Sequence, residues 1–215
     1  MIVADRGAGA RQGGRRWEPS VASDDVLPTL EALGREAATC VLCRLSEGRT
    51  SVVFGMGDAF APLMFIGEGP GEQEDKQGLP FVGRSGQLLD RLLVEELGVT
   101  RERVYIANVV KCRPPGNRDP KPDEIAACRP YLQQQLDLIR PAVVVSLGRF
   151  AAQWLLETTD GINRLRGRSY PFAHGVLIPT LHPAAALRGG AEPLGQMRAD
   201  FVRAKLALAD AGHVW

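Results

Sequence analysis

The chain has 215 residues, 45% hydrophobic and 24% charged, and 26 Lys+Arg against 25 Asp+Glu leave a net charge of +1. That length and apolar content exclude a disordered protein, and no apolar run approaches the ~18 residues of a membrane span. A protein held on nucleic acid by bulk charge alone is also disfavoured, but the balance is a cancellation: −8 over residues 17–100 against +3 over 101–140 and +4 over 161–215.

In chain order, residues 1–20 are rich in Gly and Arg without an apolar period and read as a disordered arm, leaving 21–215 as a single domain. A secretory apolar stretch is missing, which predicts a protein of the reducing cytoplasm. Short, continuously apolar runs at 62–67 (PLMFIG), 104–109 (VYIANV), 142–147 (AVVVSL) and 175–181 (GVLIPTL) predict strands buried on both faces, as in a parallel sheet. Helices are expected between them, at 85–97, 122–139, 149–157 and 193–211. Pro122, with Asp123 and Glu124 in the first turn, opens the second of these, while Pro130 inside it leaves its start open. The pattern predicts an α/β fold: a three-layer αβα sandwich with a central four-stranded parallel sheet.

Ligands of open parallel sheets bind outside the carboxyl ends of the strands. Here those ends run into Gly67-Glu68-Gly69-Pro70-Gly71, Asn108, Ser146-Leu147-Gly148 and His182-Pro183, which collects Glu, Asn, Ser and His along one edge. Cys40 and Cys43 form a C-x2-C pair, and Cys112 and Cys128 supply two more thiols. Four thiolates suit either zinc or a [4Fe-4S] cluster; the wide second pair is not a zinc-ribbon spacing and favours the cluster.

The stretch from Gly67 to Asp75 (GEGPGEQED), continuing from Gly78 to Gly86 (GLPFVGRSG), resembles the first motif of the family 4 uracil-DNA glycosylases. So do Val104 to Pro115 (VYIANVVKCRPP), Asn117-Arg118 and Leu181-His182-Pro183, with four cysteines in the family's order. The resemblance covers roughly residues 35–210. It implies a monofunctional glycosylase that flips uracil out of DNA and hydrolyses its N-glycosidic bond, leaving an abasic site for base excision repair. It also implies a [4Fe-4S] cluster on Cys40, Cys43, Cys112 and Cys128, with zinc the less favoured occupant. The implied partner is uracil-containing DNA, single- or double-stranded, bound by a cytoplasmic, nucleoid-associated monomer without membrane association.

Matched residue by residue, His182 resembles the family's donor to the uracil oxygen that gains charge, and Asn108 the amide that reads O4 and N3–H together. Phe81 would stack on the flipped ring. Glu68 is favoured for the water that attacks C1′, with Glu74 and Asn117 helping to hold that water or to exclude a 5-methyl group. Gly69 stands where the better-known branch of the superfamily has an Asp. Leu187 is a candidate wedge for the vacated stack, or else part of an apolar helix start, and Arg188 would sit near the DNA backbone. Arg84, Lys111, Arg113, Arg118 and Arg188 are candidate phosphate contacts. The backbone N–H groups of 69–71, 83–86 and 146–148 are further candidates. Glu72 and Asp75 read as ordinary solvated acids.

Two other readings compete. A dinucleotide enzyme fails because Glu72 stands where the third glycine of G-x-G-x-x-G belongs. A binding protein of the same fold that captures uracil-DNA without turnover is disfavoured, because 113–118 lacks the Arg- and His-containing insert of the branch that traps the sugar covalently.

Overall fold

The computed structural model describes residues 26–214; the arm expected over 1–20 lies outside them. The central sheet is built from β2 (Leu63–Gly67), β3 (Tyr105–Asn108), β4 (Val143–Leu147) and β6 (Gly175–Thr180), all parallel. These are the four expected strands, each within a residue or two of its predicted bounds. Two short strands enlarge the sheet to six: β1 (Met56–Gly57) runs antiparallel to β3, and β5 (Tyr170–Phe172) antiparallel to β6. The order is β1-β3-β2-β4-β6-β5. The four-strand expectation therefore holds for the parallel centre and is corrected at both margins. The added strands pair with edges that would otherwise expose open backbone groups.

Every residue of β2 and β4 is buried, because alternate side chains enter two different cores. Met64, Ile66, Ala107 and Val144 pack with Leu33, Leu132, Leu136 and Leu155 from α1 (Val26–Ala38), α4 (Pro122–Ile139) and α5 (Arg149–Leu156). Leu63, Phe65, Ile106 and Val145 face the other way. They meet Leu88 and Leu92 of α3 (Arg84–Leu92) and Met197, Phe201 and Ala204 of α8 (Ala191–Asp210). The Phe65 and Phe201 ring centroids lie 5.4 Å apart. Two helical layers on one sheet is the expected αβα sandwich, and it explains why the strand sequences are continuously apolar.

Helix α4 spans the predicted 122–139 and runs through Pro130. Its start is fixed from outside the apolar pattern. The Lys121 N–H donates to Glu124 Oε2 at 2.8 Å, and the Arg118 guanidinium donates to both Glu124 oxygens at 2.6 and 2.8 Å. Glu124 thus caps a helix while its buried charge is neutralised. Helix α3 continues as a π-helical turn, Leu93–Leu97, and stops at Gly98, whose φ of 75° only glycine adopts readily. Two further helices lie outside those expected between the strands: α2 (Glu72–Gln77) in the acidic motif and α7 (Pro183–Gly189) after His182, where a helix start was one of the two alternatives. The short α6 (Ile162–Leu165) lies between α5 and β5.

Candidate active site

The ends of β2, β3 and β6 open into one cleft of about 500 Å³. Glu68, Gly69, Glu74, Phe81, Asn108, Asn117, His182 and Arg188 all line it, so eight of the nine non-cysteine site residues expected from sequence converge. Leu187 does not line it. It sits on α7 with 41% exposure, so the segment is helical as one alternative held, while the side chain still projects into solvent beside the cleft residue Arg188.

His182 caps α7: its Nδ1 accepts the Ala184 N–H at 3.2 Å. An accepting Nδ1 places the ring proton on Nε2. Burial, reinforced by the positive charge of Arg188 and opposed by Glu74, pushes the imidazole down to about 4. His182 is therefore neutral at physiological pH and carries an Nε2–H donor.

Asn108, at the last position of β3, is 2% exposed, and its Oδ1 is buried without a hydrogen-bond partner among the described residues. A buried acceptor left unpaired costs about 1–3 kcal/mol, which a ligand donor would recover. Phe81 stands beside it, with its ring centroid 5.9 Å from that of His182. Gly67 permits this crowding, because a Cβ there would lie 2.4 Å from Asn108 Oδ1 and 2.5 Å from Phe81 Cζ. Phe81 itself has φ 53°, a left-handed conformation uncommon for a bulky residue. Arg101 supports it, donating from Nη2 to the Phe81 carbonyl oxygen at 2.6 Å and from Nε to Asp90 Oδ1 at 2.8 Å.

The two glutamates have different surroundings. Burial is the main cause that pushes Glu68 up to about 7; Asp119 adds to it and Arg149 opposes it. A carboxyl titrating near neutrality is poised for acid–base work. Glu74 accepts three backbone N–H groups, from Gly71 at 3.2 Å, Val82 at 2.9 Å and Gly83 at 2.8 Å. It clamps the start of α2 to the loop carrying Phe81. Asn117 has φ 55°, and its Oδ1 accepts from Arg113 Nε at 2.7 Å.

Several expectations about the rim are corrected. Lys111 is no phosphate contact: it is 1% exposed, with its ammonium on Asn108 O and Gln135 Oε1. Arg118 is committed to Glu124. The N–H groups of Gly71 and Gly83 belong to Glu74, and that of Gly148 donates to Thr180 O at 2.9 Å, so none of these three is free for a phosphate. Asp75 is not solvated but buried, accepting from the Thr50 and Ser51 N–H groups at 2.9 and 3.3 Å. Arg84 and Arg188 are exposed, and Arg113 keeps a looser contact with Glu72 at 3.7 Å. Sequence reading missed Asp119, which lines the cleft, and Arg149, which acts on Glu68 from the start of α5. The position of Arg149 directly after the polar end of β4 was the available signal.

Cys40, Cys43, Cys112 and Cys128 line a second, separate cavity, together with Arg49 and Tyr131 among others. Lys111 N–H donates to Cys128 Sγ at 3.2 Å and Arg49 Nη1 to Cys112 Sγ at 3.5 Å. Thiols from three distant stretches thus share one hollow, and donors directed at sulfur suit thiolates, the form that binds metal. In type and number the four residues suit a four-thiolate cluster, whose ligands stand apart around several metal atoms rather than about one ion. Among the described residues, no group of three or more His, Cys, Asp or Glu is arranged around a single ion position.

The sequence that builds this fold and its polar cleft belongs to a known class: residues 54–206 match the family model of the uracil DNA glycosylase superfamily, and the chain belongs to that superfamily. Within it, the chain is similar to type-4 uracil-DNA glycosylases. It is 46% identical to that of Sulfurisphaera tokodaii over 169 residues, covering 75% of this chain and 77% of the relative. Identity to the Saccharolobus solfataricus enzyme is 43% over 192 residues, 85% and 88% of the two chains. The Thermotoga maritima enzyme is 45% identical over 167 residues, 77% and 86%. No helix among the described residues is long and apolar enough to cross a membrane.

Proposed function

We propose that this protein is a monofunctional uracil-DNA glycosylase of the type-4 kind, acting on uracil flipped from single- or double-stranded DNA. The observation that carries the assignment is the buried, unpaired Asn108 Oδ1 at the floor of the cleft. Uracil offers N3–H to that oxygen and O4 to the neighbouring amide N–H; cytosine, with an acceptor at N3 and a donor at C4, reverses both and is rejected. The Phe81 ring provides the stacking face.

As the C1′–N1 bond breaks, negative charge grows on N1 and O2 of uracil. His182 donates Nε2–H to O2 as a neutral imidazole, so it stabilises the anion by hydrogen bonding without giving up its proton. Arg188, close enough to depress His182, adds positive potential at the same place. Glu68, ionised, faces the electron-poor sugar and holds the water that attacks C1′. Asn117 completes the water's surroundings, and Glu74 keeps the Phe81 loop in register through its three N–H bonds. Leu187 fills the vacated stack. Cys40, Cys43, Cys112 and Cys128 would hold a [4Fe-4S] cluster, whose contribution is to cross-link the segment before β1 to the β3–α4 loop and α4. We place the protein in the cytoplasm as a monomer.

The test is incubation of the pure protein with a uracil-containing oligonucleotide, scoring free uracil and alkali-labile sites. Wild type should release uracil, whereas Asn108→Ala and His182→Ala should be slower by about 10²–10³. Wild type that retains the base on DNA would refute the assignment, and a stable covalent adduct would replace turnover by capture.

A further inference from the structure

A buried lysine lies between the amide that reads the base and the cavity of the four cysteines. Lys111 Nζ donates to the Asn108 carbonyl oxygen at 2.9 Å and to Gln135 Oε1 at 2.6 Å, and stands 5.9 Å from the Phe54 ring centroid. Gln135 is fixed in turn, its Nε2 donating to Phe54 O at 3.0 Å and to the Tyr105 hydroxyl at 3.1 Å. All these partners are neutral. Among the described residues no carboxylate forms an ion pair with the ammonium, and a buried charge without a counter-charge is strongly disfavoured. The groups able to carry negative charge beside it are the cysteines, once they act as cluster ligands: Cys128 acts electrostatically on the ammonium and accepts the Lys111 backbone N–H at its Sγ, and Cys112 is the next residue.

We propose that Lys111 is a positioning residue through which the cysteine centre fixes the base-reading amide. The thiolates balance its charge on one side, and its head group pins the Asn108 peptide on the other. This rests on the reading of Asn108 as base selector and of the four cysteines as ligands. It explains why an ammonium occupies a site where methionine would fill the same volume at no electrostatic cost. When the centre is lost, the ammonium loses its counter-charge, turns toward water and releases the Asn108 carbonyl. Damage to the centre is thereby transmitted to uracil recognition.

The experiment compares wild type, Lys111→Met and Gln135→Glu as purified holoproteins. Three quantities are read: reduction potential, the rate at which visible absorbance bleaches under a chelator, and kcat/KM on a uracil oligonucleotide. Lys111→Met should make the potential more negative, since a positive charge that favours the added electron is gone. It should also bleach faster and lose kcat/KM, each by about 10- to 100-fold. Gln135→Glu gives the ammonium a carboxylate of its own and should move the potential the same way; it carries the test if Lys111→Met does not fold. A potential unmoved in both variants would overturn the inference, as would Lys111→Met with wild-type kcat/KM. Wild type that is colourless or releases no uracil would instead overturn the underlying reading.

Discussion

Replacing Glu68 by Gln removes a cleft carboxyl whose titration is expected to set the rate near neutral pH. Burial and Asp119 hold this group at about 7, while His182 stays neutral down to about pH 4. If the ionised carboxylate orients the water, kcat/KM falls tenfold per unit below pH 7, reaching about one hundredth of its plateau at pH 5. His182 contributes no second limb in that range. The neighbours give internal checks of sign. Asp119→Asn removes a negative charge that opposes ionisation and should shift the midpoint to lower pH; Arg149→Met removes a favourable positive charge and should shift it higher. Stability supplies an independent reading. With a folded pKa above the ordinary 4.5, Glu68 makes stability fall as pH rises from about 4.5 to about 7. Glu68→Gln should therefore raise Tm at pH 8 and leave it unchanged at pH 4. Single-turnover uracil release from pH 5 to 9, with thermal melts at both extremes, measures all of this. A flat wild-type profile, or an acid limb that survives in Glu68→Gln, would refute the reasoning.

Other substitutions probe the scaffold of the cleft. Gly67→Ala places a methyl 2.4 Å from Asn108 Oδ1 and 2.5 Å from Phe81 Cζ, and should cost about 1–3 kcal/mol in a melt while sharply reducing uracil release. Arg101→Met removes a charged donor to the Phe81 carbonyl; about 1.5–3 kcal/mol of stability should be lost and KM should rise more than kcat falls. Glu124→Ala strips the cap of α4 and strands Arg118, for a loss of about 3 kcal/mol by denaturant titration. Asp75→Ala frees the N–H groups of Thr50 and Ser51, and a loss of about 2 kcal/mol is expected; unchanged stability would mean water replaces the carboxylate without cost.

The four parallel strands were legible because burial on both faces leaves continuous apolar runs, and α4 because Pro122 and its acidic first turn mark a helix start. Strands β1 and β5 span two and three residues, too short for any periodicity to register. Helix α2 was hidden by its composition: all six of its side chains are charged or amide groups on a turn flanked by glycines, which reads as solvent-exposed loop. The edge that holds the site was legible through polar residues at strand ends, a local signal, whereas Phe81, Glu74, Asn117 and Arg188 entered through the family resemblance. What sequence could not give was commitment. Lys111, Arg118, Glu74 and Asp75 look available in sequence, and each is taken, Arg118 and Glu74 by partners within ten residues and Lys111 and Asp75 also by partners that the fold brings from farther along the chain. Lys111 lies 24 positions from Gln135, and Asp75 lies 25 from Thr50. Asp119 and Arg149 were overlooked for the converse reason, being ordinary charges until β4 and the β3–α4 loop bring them to Glu68.

The β3–α4 loop is tied down at two places, at Cys112 on the rim of the cysteine cavity and at Arg118 through its double bond to Glu124. Between those ties lie only residues 113–117, which include the left-handed Gly116 and Asn117 and the cleft residue Pro114. This arrangement separates inheritance from variation within one wall of the cleft. Insertions or exchanges confined to 113–117 alter what meets the base and sugar while leaving the sheet, the cap of α4 and the cysteine set as they are. It is the stretch along which related chains can diverge in chemistry without first having to refold.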